Sequence, residues 1–264
     1  MGIRILKGGM MTTVQDLGRY GYQSQGFSVA GVMDVRSFKI ANLLLDNPEN
    51  EAVLEITLIG PTLEFTSATI IAITGGDFQP TINGEPAPMY TALYMNKGDV
   101  LKFGSARTGS RGYIAFSSYL DIPVVMGSRC TNLKSGLGGF KGRKLEADDY
   151  IGFRIMRRYL PFFLSRKLDM DEFDQTEATL RVVMGPQDGM FSKQGIQTFL
   201  CSEYTVTNEF DRMGCRLEGP FIAPKKTSDI ISDGIAFGAG RFQDRIYQSF
   251  LHGRLPYCCG SDFL

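Results

Sequence analysis

The sequence contains a single histidine, His252, among 264 residues. Residues 1–251 therefore cannot supply a Ser-His-Asp triad, a Cys-His dyad or a histidine-rich zinc site. The 5 cysteines are an odd number without C-x-x-C spacing, which argues against a disulfide framework and a zinc ribbon. We predict no metal site, and we expect any chemistry here to use carboxylates, basic side chains, Tyr, hydroxyls, amides or a partner chain.

An excess of one charge and a long apolar run are also absent. The 28 Lys+Arg and 28 Asp+Glu residues give a formal net charge of zero, so the chain lacks the positive field that attracts nucleic acid or anionic membranes. No stretch approaches the roughly 18 apolar residues of a membrane span, and the N-terminus has no signal-peptide pattern. We therefore expect a soluble, cytoplasmic protein that binds a small molecule or another protein.

The chain does contain many short β-branched runs bounded by Gly, Asn or Pro, a pattern typical of a strand-rich domain. Such runs cover residues 69–74, 81–82, 100–103 and 112–116, and the Asn83-Gly84 pair predicts a turn after the second of them. One clear helix interrupts them, with Asp34 as its predicted N-cap and residues 46–48 as its end. A weaker helix is predicted over about residues 191–200. The sequence thus indicates a mainly β fold with few helices.

A change of composition divides the chain. Between residues 157 and 179 a basic and apolar run passes into an acidic run without a clear period, which we interpret as solvated charge and linker. We predict a first domain over residues 1–165, a linker over residues 166–178 and a second domain over residues 179–264. Residues 181–185 echo residues 4–8, which favours two related domains, although matches so short also arise by chance.

The densest group of polar residues lies in a glycine-punctuated N-terminal segment. It comprises Gln15, Asp16 and Arg19, followed by Asp34 and Asn42. Glycine lets a backbone approach a ligand closely, and these side chains offer complementary donors and acceptors. A structural interpretation stays open: Asp16 and Arg19 would form an ion pair, Gln15 would close a turn, and Asp34 would only cap its helix.

Two further segments carry groups suited to anions. The glycines of residues 136–143 could expose backbone N–H groups beside Lys141 and Arg143, although no phosphate-binding motif fits them. A glycine-rich hairpin with a solvated basic edge is the alternative. Asp211 and Arg212 stand together on a predicted turn, where Arg offers a planar fork of donors to a carboxylate, amide or phosphate. The alternative for Arg212 is packing against the wall of its own domain.

A series of short motifs spreads along the chain in a fixed order. They are Thr-Val-Gln-Asp-Leu-Gly-Arg-x-Gly at residues 13–21, Ala-Gly-x-Met-Asp at 30–34, Ala-Asn at 41–42, Thr-Gly-Gly-Asp at 74–77, Gly-Ser-Arg at 127–129, Gly-Pro-Gln at 185–187, Asp-Arg-Met-Gly at 211–214 and Ser-Asp-Gly at 232–234. In this order the motifs resemble the family of the C subunit of 5-oxoprolinase, also called allophanate hydrolase subunit 2 or biotin-dependent carboxyltransferase.

The resemblance implies two tandem cyclophilin-like β-barrel domains, the second incomplete. It implies a subunit of a heteromeric, ATP-binding hydrolase that opens the lactam of 5-oxo-L-proline to L-glutamate with ATP hydrolysis and is inactive alone. The implied partners are a sister carboxyltransferase-domain subunit and a lactam-utilisation subunit. Two alternatives stay open: the carboxyltransferase half of a urea carboxylase, with biotin on a partner, and a non-catalytic regulator that binds a sister protein acting as a kinase inhibitor.

The motif positions give candidates for binding the substrate or for contact between subunits, and they identify no catalytic residue. The candidates are Gln15, Asp16, Arg19, Asp34, Asn42, Asp77, Ser128, Arg129, Asp211 and Arg212.

The sequence departs from the family's pattern after about residue 239. We interpret the departure as a truncated or frameshifted C-terminus and assign no function to His252, Cys258 or Cys259. Missing final strands would leave an open sheet edge in the second domain, so we expect poor solubility or inactivity of this chain alone.

Overall fold

The computed structural model describes residues 1–169, 181–210, 214–222, 224–225, 239–243 and 248–252. These residues fall into two compact units, one within residues 1–169 and one from residue 181 onward. The predicted linker over residues 166–178 is described only as far as residue 169, so the predicted domain limits stay a prediction.

The first unit contains two antiparallel sheets and one α-helix. Its strands are β1 (Gly2–Lys7), β2 (Met11–Gln15), β3 (Val53–Thr57), β4 (Thr62–Phe65), β5 (Thr69–Asp77), β6 (Thr81–Ile82), β7 (Glu85–Pro86), β8 (Ala92–Met95), β9 (Val100–Lys102), β10 (Thr108–Phe116) and β11 (Tyr150–Gly152). The helix, α1, spans Val35–Leu44, and 3-10 helices occupy Gln23–Gln25 and Phe163–Ser165. Sheet A has the strand order β11-β1-β4-β9-β6-β7, and sheet B has the order β2-β3-β10-β5-β8.

Sheet B is buried on both faces, which explains why every residue of β3 is buried. Successive side chains of a strand point to opposite faces. Leu54 and Ile56 enter a core shared with Ile3 and Ile5 of sheet A, so this core lies between the two sheets. Val53 belongs to a second core on the other face.

Helix α1 covers that other face of sheet B. Phe38, Ala41 and Leu45 pack in one core with Tyr113 and Ala115 of β10. The helix begins as predicted, because the Asp34 side chain accepts a hydrogen bond of 3.0 Å from the Ser37 N–H. The predicted strands are also found, in β5, β6, β9 and β10, and the predicted Asn83-Gly84 turn joins β6 to β7 with φ angles of 55° and 94°.

The second unit combines a helix with a four-stranded antiparallel sheet, sheet C. Helix α2 spans Lys193–Cys201, and the strands are β12 (Thr205–Phe210), β13 (Gly214–Glu218), β14 (Ala239–Gln243) and β15 (Gln248–His252), in the order β12-β13-β15-β14. A 3-10 helix occupies Asp188–Met190. Residues 181–185 form no strand, and Val183 is 95% exposed, so here the echo of β1 does not extend to secondary structure.

The predicted mainly β fold with few helices is confirmed. The described residues form antiparallel sheets throughout, and closure of each domain into a barrel stays a prediction. Within the same residues no helix is long and apolar enough to cross a membrane.

The core between the sheets gives the first test of this fold. Phe116 is 1% exposed and packs against the ring of Phe65, with ring centroids 6.4 Å apart. We expect Phe116→Ala to lower the free energy of unfolding by about 3–5 kcal/mol, because it removes apolar contacts and leaves a cavity. Urea unfolding followed by circular dichroism measures the change. Tyr94→Ala, on a side chain 44% exposed, is the control, and equal midpoints for the two variants would contradict this packing.

Candidate functional site

The buried carboxylate of Asp16 joins the end of β2 to a distant loop. Its Oδ1 accepts hydrogen bonds from the Gly18 N–H at 2.9 Å and the Ser128 Oγ–H at 2.6 Å, and its Oδ2 accepts one from the Arg129 N–H at 2.6 Å. Asp16 is 2% exposed, and a carboxylate so far from water needs such donors. Three of the predicted candidates, Asp16, Ser128 and Arg129, are therefore brought together.

Arg19 lies beside this group without pairing with Asp16 in the described chain. Its Nε donates to the Val125 carbonyl at 3.1 Å, one Nη donates to the Cys130 carbonyl at 3.2 Å, and the other lies 3.6 Å from the Cys130 Sγ. The expectation of an Asp16–Arg19 ion pair is wrong, because carbonyl oxygens surround the fully buried guanidinium instead. Burial also raises the pKa of the Cys130 thiol, which keeps it protonated and unreactive.

Arg129 is the member of the group with donors to spare. Its Nε donates to the Ile122 carbonyl at 3.0 Å, which fixes the orientation of the guanidinium. Among the residues that the structure describes, no group accepts a hydrogen bond from its two terminal nitrogens. The side chain is only partly buried, so these nitrogens form a fork suited to a carboxylate or phosphate.

Gln15 ties the same loop to β2 and does not close a turn. Its Nε2 donates to the Thr13 hydroxyl at 2.9 Å and to the Thr131 carbonyl at 3.2 Å. The Thr131 hydroxyl donates in turn to the Val14 carbonyl at 2.9 Å. Gln15 is fully buried, and its Oε1 has no hydrogen-bond partner in the described part of the chain.

A polar row crosses sheet B beneath the start of helix α1. It consists of Thr13, Glu55, Tyr113 and Thr74, which lie opposite one another on β2, β3, β10 and β5 and are at most 2% exposed. The Tyr113 hydroxyl donates to Glu55 Oε2 at 3.0 Å and accepts from the Asp34 N–H at 2.7 Å. The row therefore connects the sheet to the helix N-terminus.

Glu55, Tyr113 and Thr74 are absent from the predicted candidates, although a signal for Glu55 exists. It is the one charged residue of β3, where every neighbour in the strand is apolar or Thr. Besides Tyr113, it accepts a hydrogen bond of 2.7 Å from the Met33 N–H. A carboxylate inside so apolar a strand requires partners from other segments, and this requirement marks it as part of a buried network.

Asp34 combines the predicted capping role with an unusual environment. Its Oδ1 accepts the capping hydrogen bond, whereas its Oδ2 is buried and has no hydrogen-bond partner among the described residues. Burial raises the pKa of the Asp34 carboxyl above its ordinary value, the hydrogen bonds from Ser37 oppose this, and the charge of Glu55 adds to it. The protonated form is therefore favoured to a higher pH than in an exposed Asp.

Asn42 and Asp77 lie apart from these groups. Asn42 is at the other end of α1, where its Nδ2 donates to the Glu51 carbonyl at 2.9 Å and its Oδ1 accepts from Asn47 at 3.0 Å. Asp77 ends β5 and accepts a hydrogen bond of 2.7 Å from the Gln79 N–H. Both contacts are local and structural. Asp211 and Arg212 lie outside the described residues.

The glycine-rich segment of residues 136–143 uses its own N–H groups. Those of Gly136, Leu137, Gly139, Gly142 and Arg143 all donate to carbonyls of residues 129–140. The Arg143 guanidinium makes two hydrogen bonds of 2.7 Å to Asp149, and it lowers the pKa of that carboxyl. These five N–H groups are not available to a phosphate, which favours the structural alternative. Within the described ranges no cluster of His, Cys, Asp and Glu could hold a metal ion.

Comparison with known proteins identifies the class to which this arrangement belongs. Residues 25–244 match the family described as "Carboxyltransferase domain, subdomain A and B". The chain belongs to this family, and the resemblance predicted from its motifs is confirmed.

Two relatives and one solved structure are similar to this chain. The chain is 32% identical over 240 residues to the C subunit of 5-oxoprolinase from Escherichia coli (strain K12), covering 89% of this chain and 74% of that protein. It is 33% identical over 224 residues to urea amidolyase of Lachancea kluyveri, covering 80% of this chain but 12% of that protein. The crystal structure of K. lactis urea amidolyase matches with a TM-score of 0.81 and 27% identity, over 96% of this chain and 16% of that one.

The Asp16 contacts can be tested by an isosteric change. Asp16→Asn places an NH2 group where an oxygen accepts hydrogen bonds, so one backbone donor, the Gly18 N–H or the Arg129 N–H, is left unpaired. We expect the free energy of unfolding to fall by about 2–3 kcal/mol, the range for charged hydrogen bonds. Urea unfolding provides the measurement, and Asp121→Asn, at an exposed position, is the control. A variant as stable as the wild type would show that Asp16 does not hold the loop.

The state of Asp34 can be tested through pH. Because its pKa is raised in the folded chain, its contribution to stability is present below the unfolded-state pKa and is lost as pH rises through the folded-state value. Asp34→Asn stays neutral and keeps an acceptor for Ser37. We therefore expect the variant to gain stability relative to the wild type as pH rises above the ordinary Asp range, measured by urea unfolding.

Asp149→Asn is the matched control for this titration. The pKa of Asp149 is lowered by hydrogen bonds from Arg143, so its contribution is present above the ordinary Asp range and is lost as pH falls. The Asp149 variant should thus lose stability relative to the wild type as pH rises. If both differences change with the same sign, the interpretation of Asp34 is wrong.

Proposed function

We propose that the chain is the C-type subunit of an ATP-dependent 5-oxoprolinase, which opens 5-oxo-L-proline to L-glutamate. The observation that carries the proposal is the 32% identity to the E. coli subunit, which extends over 74% of that protein. The urea amidolyase relative shares a comparable identity over only 12% of its length, so most of that protein has no counterpart here. The proposed partners are the sister carboxyltransferase-domain subunit and a lactam-utilisation subunit.

The chemistry requires a positioned cation. A lactam is a stable amide, and ATP bound by the complex supplies the phosphoryl group that activates its oxygen for attack by water. Negative charge is present on the substrate carboxylate and develops at the reacting oxygen, and fixed donors stabilise it. The Arg129 guanidinium offers such donors because its terminal nitrogens have no acceptor among the described residues.

Asp16 and Ile122 prepare Arg129 for this role. Asp16 fixes the Arg129 backbone through the hydrogen bond at 2.6 Å, and the Ile122 carbonyl fixes the Nε at 3.0 Å. A side chain held at both ends loses little further freedom when it binds an anion. We assign Arg129 to the substrate carboxylate, and we assign no phosphate contact to residues 136–143, since five of their N–H groups donate to carbonyls of the fold.

A carboxyltransferase half of a biotin-dependent urea carboxylase is the second candidate. The observation that favours it is the likeness to K. lactis urea amidolyase, with a TM-score of 0.81 over 96% of this chain. In that case the biotin would be carried by a partner, and Arg129 would face a carboxylated group instead of 5-oxoproline. Both candidates require a cation at this position.

The proposal is tested on the complex of the full chain with its two partner subunits. We expect ADP and glutamate to form only when 5-oxo-L-proline and ATP are both present. Arg129→Met should lower kcat/KM roughly 10- to 150-fold, the equivalent of a lost charged hydrogen bond. The kcat/KM of Arg129→Lys should lie between those of the wild type and Arg129→Met. Lys97→Met, which removes an exposed cation from the turn between β8 and β9, should leave kcat/KM unchanged.

Other substrates separate the alternatives. Turnover of urea with a carboxybiotin-carrying partner, and none of 5-oxo-L-proline, would establish the carboxyltransferase function. Tight binding to the sister subunit without any turnover would establish a regulator. Unchanged kinetics for Arg129→Met would remove Arg129 from the site.

A further inference from the structure

A segment rich in exposed apolar side chains follows β11. This outer strap, residues 154–168, presents Tyr159 at 78% exposure, Phe162 at 83% and Leu164 at 92%. Leu43 of helix α1, next to the strap, is 73% exposed. Single exposed apolar residues are common, but a group of large ones on one short segment marks a surface that binds something.

The strap is fixed to the first unit, so its exposed side chains are not the result of a loose backbone. The Arg157 guanidinium donates to the Asp46 carbonyl at 3.0 Å and to the Asp46 carboxylate at 3.2 Å. At the other end of the strap, the Ala92 N–H of β8 donates to the Arg166 carbonyl at 2.9 Å. Between them, Leu160 is 2% exposed and enters the core under α1. The sequence interpretation of this run as solvated linker is therefore incomplete.

The backbone of Phe162 adds a second observation. Its φ of 56° and ψ of 34° place it in the left-handed region, which a bulky side chain rarely adopts. The conformation starts a 3-10 turn, in which the Phe162 carbonyl accepts hydrogen bonds from the Ser165 N–H at 3.0 Å and from the Ser165 hydroxyl at 2.9 Å. The turn therefore holds the Phe162 ring in its exposed position.

The charge on the strap restricts what that molecule is. Residues 154–168 contain five Lys and Arg residues and no Asp or Glu. Arg157 pairs with Asp46, and Arg154 pairs with Glu51. Arg166 donates to the Pro161, Leu43 and Leu44 carbonyls. The side chains of Arg158 and Lys167 have no hydrogen-bond or carboxylate partner in the described part of the chain. The apolar group is therefore flanked by two unpaired cations.

Two other kinds of occupant fit this surface less well. A symmetric contact with a second copy would bring the cations of both straps together, and like charges oppose such an interface. An anionic membrane gains only about 1 kcal/mol from each cation, so two of them are too few for stable attachment. A protein surface with complementary charge has neither difficulty.

We propose that the outer strap is the docking surface for a protein partner that offers an apolar groove bordered by carboxylates. The identification of this partner as the sister carboxyltransferase-domain subunit rests on the proposed function. Phe162 and Leu164 would fill the groove, and Arg158 and Lys167 would meet its acidic border. Large apolar anchors surrounded by charges are the usual centre of such an interface.

The test measures the affinity of the full chain for the purified sister subunit of the same organism by calorimetry. We expect Phe162→Ser with Leu164→Ser to raise Kd at least roughly 30-fold, the effect of losing a binding hot spot. Arg158→Glu with Lys167→Glu should weaken binding at low salt more than at high salt. Ile59→Ser, on a side chain 49% exposed in the turn between β3 and β4, is the control and should leave Kd unchanged.

The outcomes separate this inference from the proposed function. Loss of binding in the strap variants supports the docking surface even if the wild-type complex does not hydrolyse 5-oxo-L-proline. Full binding and turnover by the strap variants overturns the docking surface and leaves the proposed function intact. Absence of binding by the wild-type chain also overturns the docking surface. So does dimerisation of the wild type, or its attachment to phosphatidylserine vesicles, if the strap variants lose that property.

Discussion

The fold of the candidate site depends on one buried carboxylate. Asp16 stands at the end of β2 and receives donors from two residues more than a hundred positions further along the chain. Both carboxylate oxygens accept hydrogen bonds, as a polar group at 2% exposure requires. Without Asp16, the Arg129 N–H would lose its acceptor, and the Arg129 backbone would keep only the hydrogen bond of 3.1 Å from the Gly139 N–H to its carbonyl.

The second constraint is the position of sheet B between two apolar cores. Polar side chains at the centre of such a sheet must find partners inside the protein, since an apolar core covers each face there. The polar row meets this requirement by bonding across the strands and to the start of α1, through Tyr113 and Asp34. The cost is the Asp34 Oδ2, which has no hydrogen-bond partner among the described residues, so protonation and stability are coupled at this end of the helix.

The sequence predicted those features that have local causes. Helix α1 has a capping Asp at its start, and the β6–β7 turn has the Asn-Gly pair that its positive φ angles require. The grouping of side chains was less predictable, because it depends on contacts between distant segments. Asp16, Ser128 and Arg129 meet, whereas Asn42 serves the far end of the helix, and no local pattern shows that Arg19 bonds to carbonyls instead of Asp16.

The side chains outside these buried networks bear on the proposed need for a partner chain. In the described part of the first unit there is no histidine, and the Cys130 thiol is buried with a raised pKa. Asp34 is buried at the start of α1, and Glu55 accepts hydrogen bonds from the Tyr113 hydroxyl and the Met33 N–H. What stays accessible is an oriented cation, Arg129, and an apolar strap with two unpaired charges. An oriented cation binds and stabilises negative charge but accepts no proton at neutral pH, so a base for water attack must come from elsewhere. A surface that recruits a second protein is consequently the natural complement to a site that holds only the binding half of the chemistry.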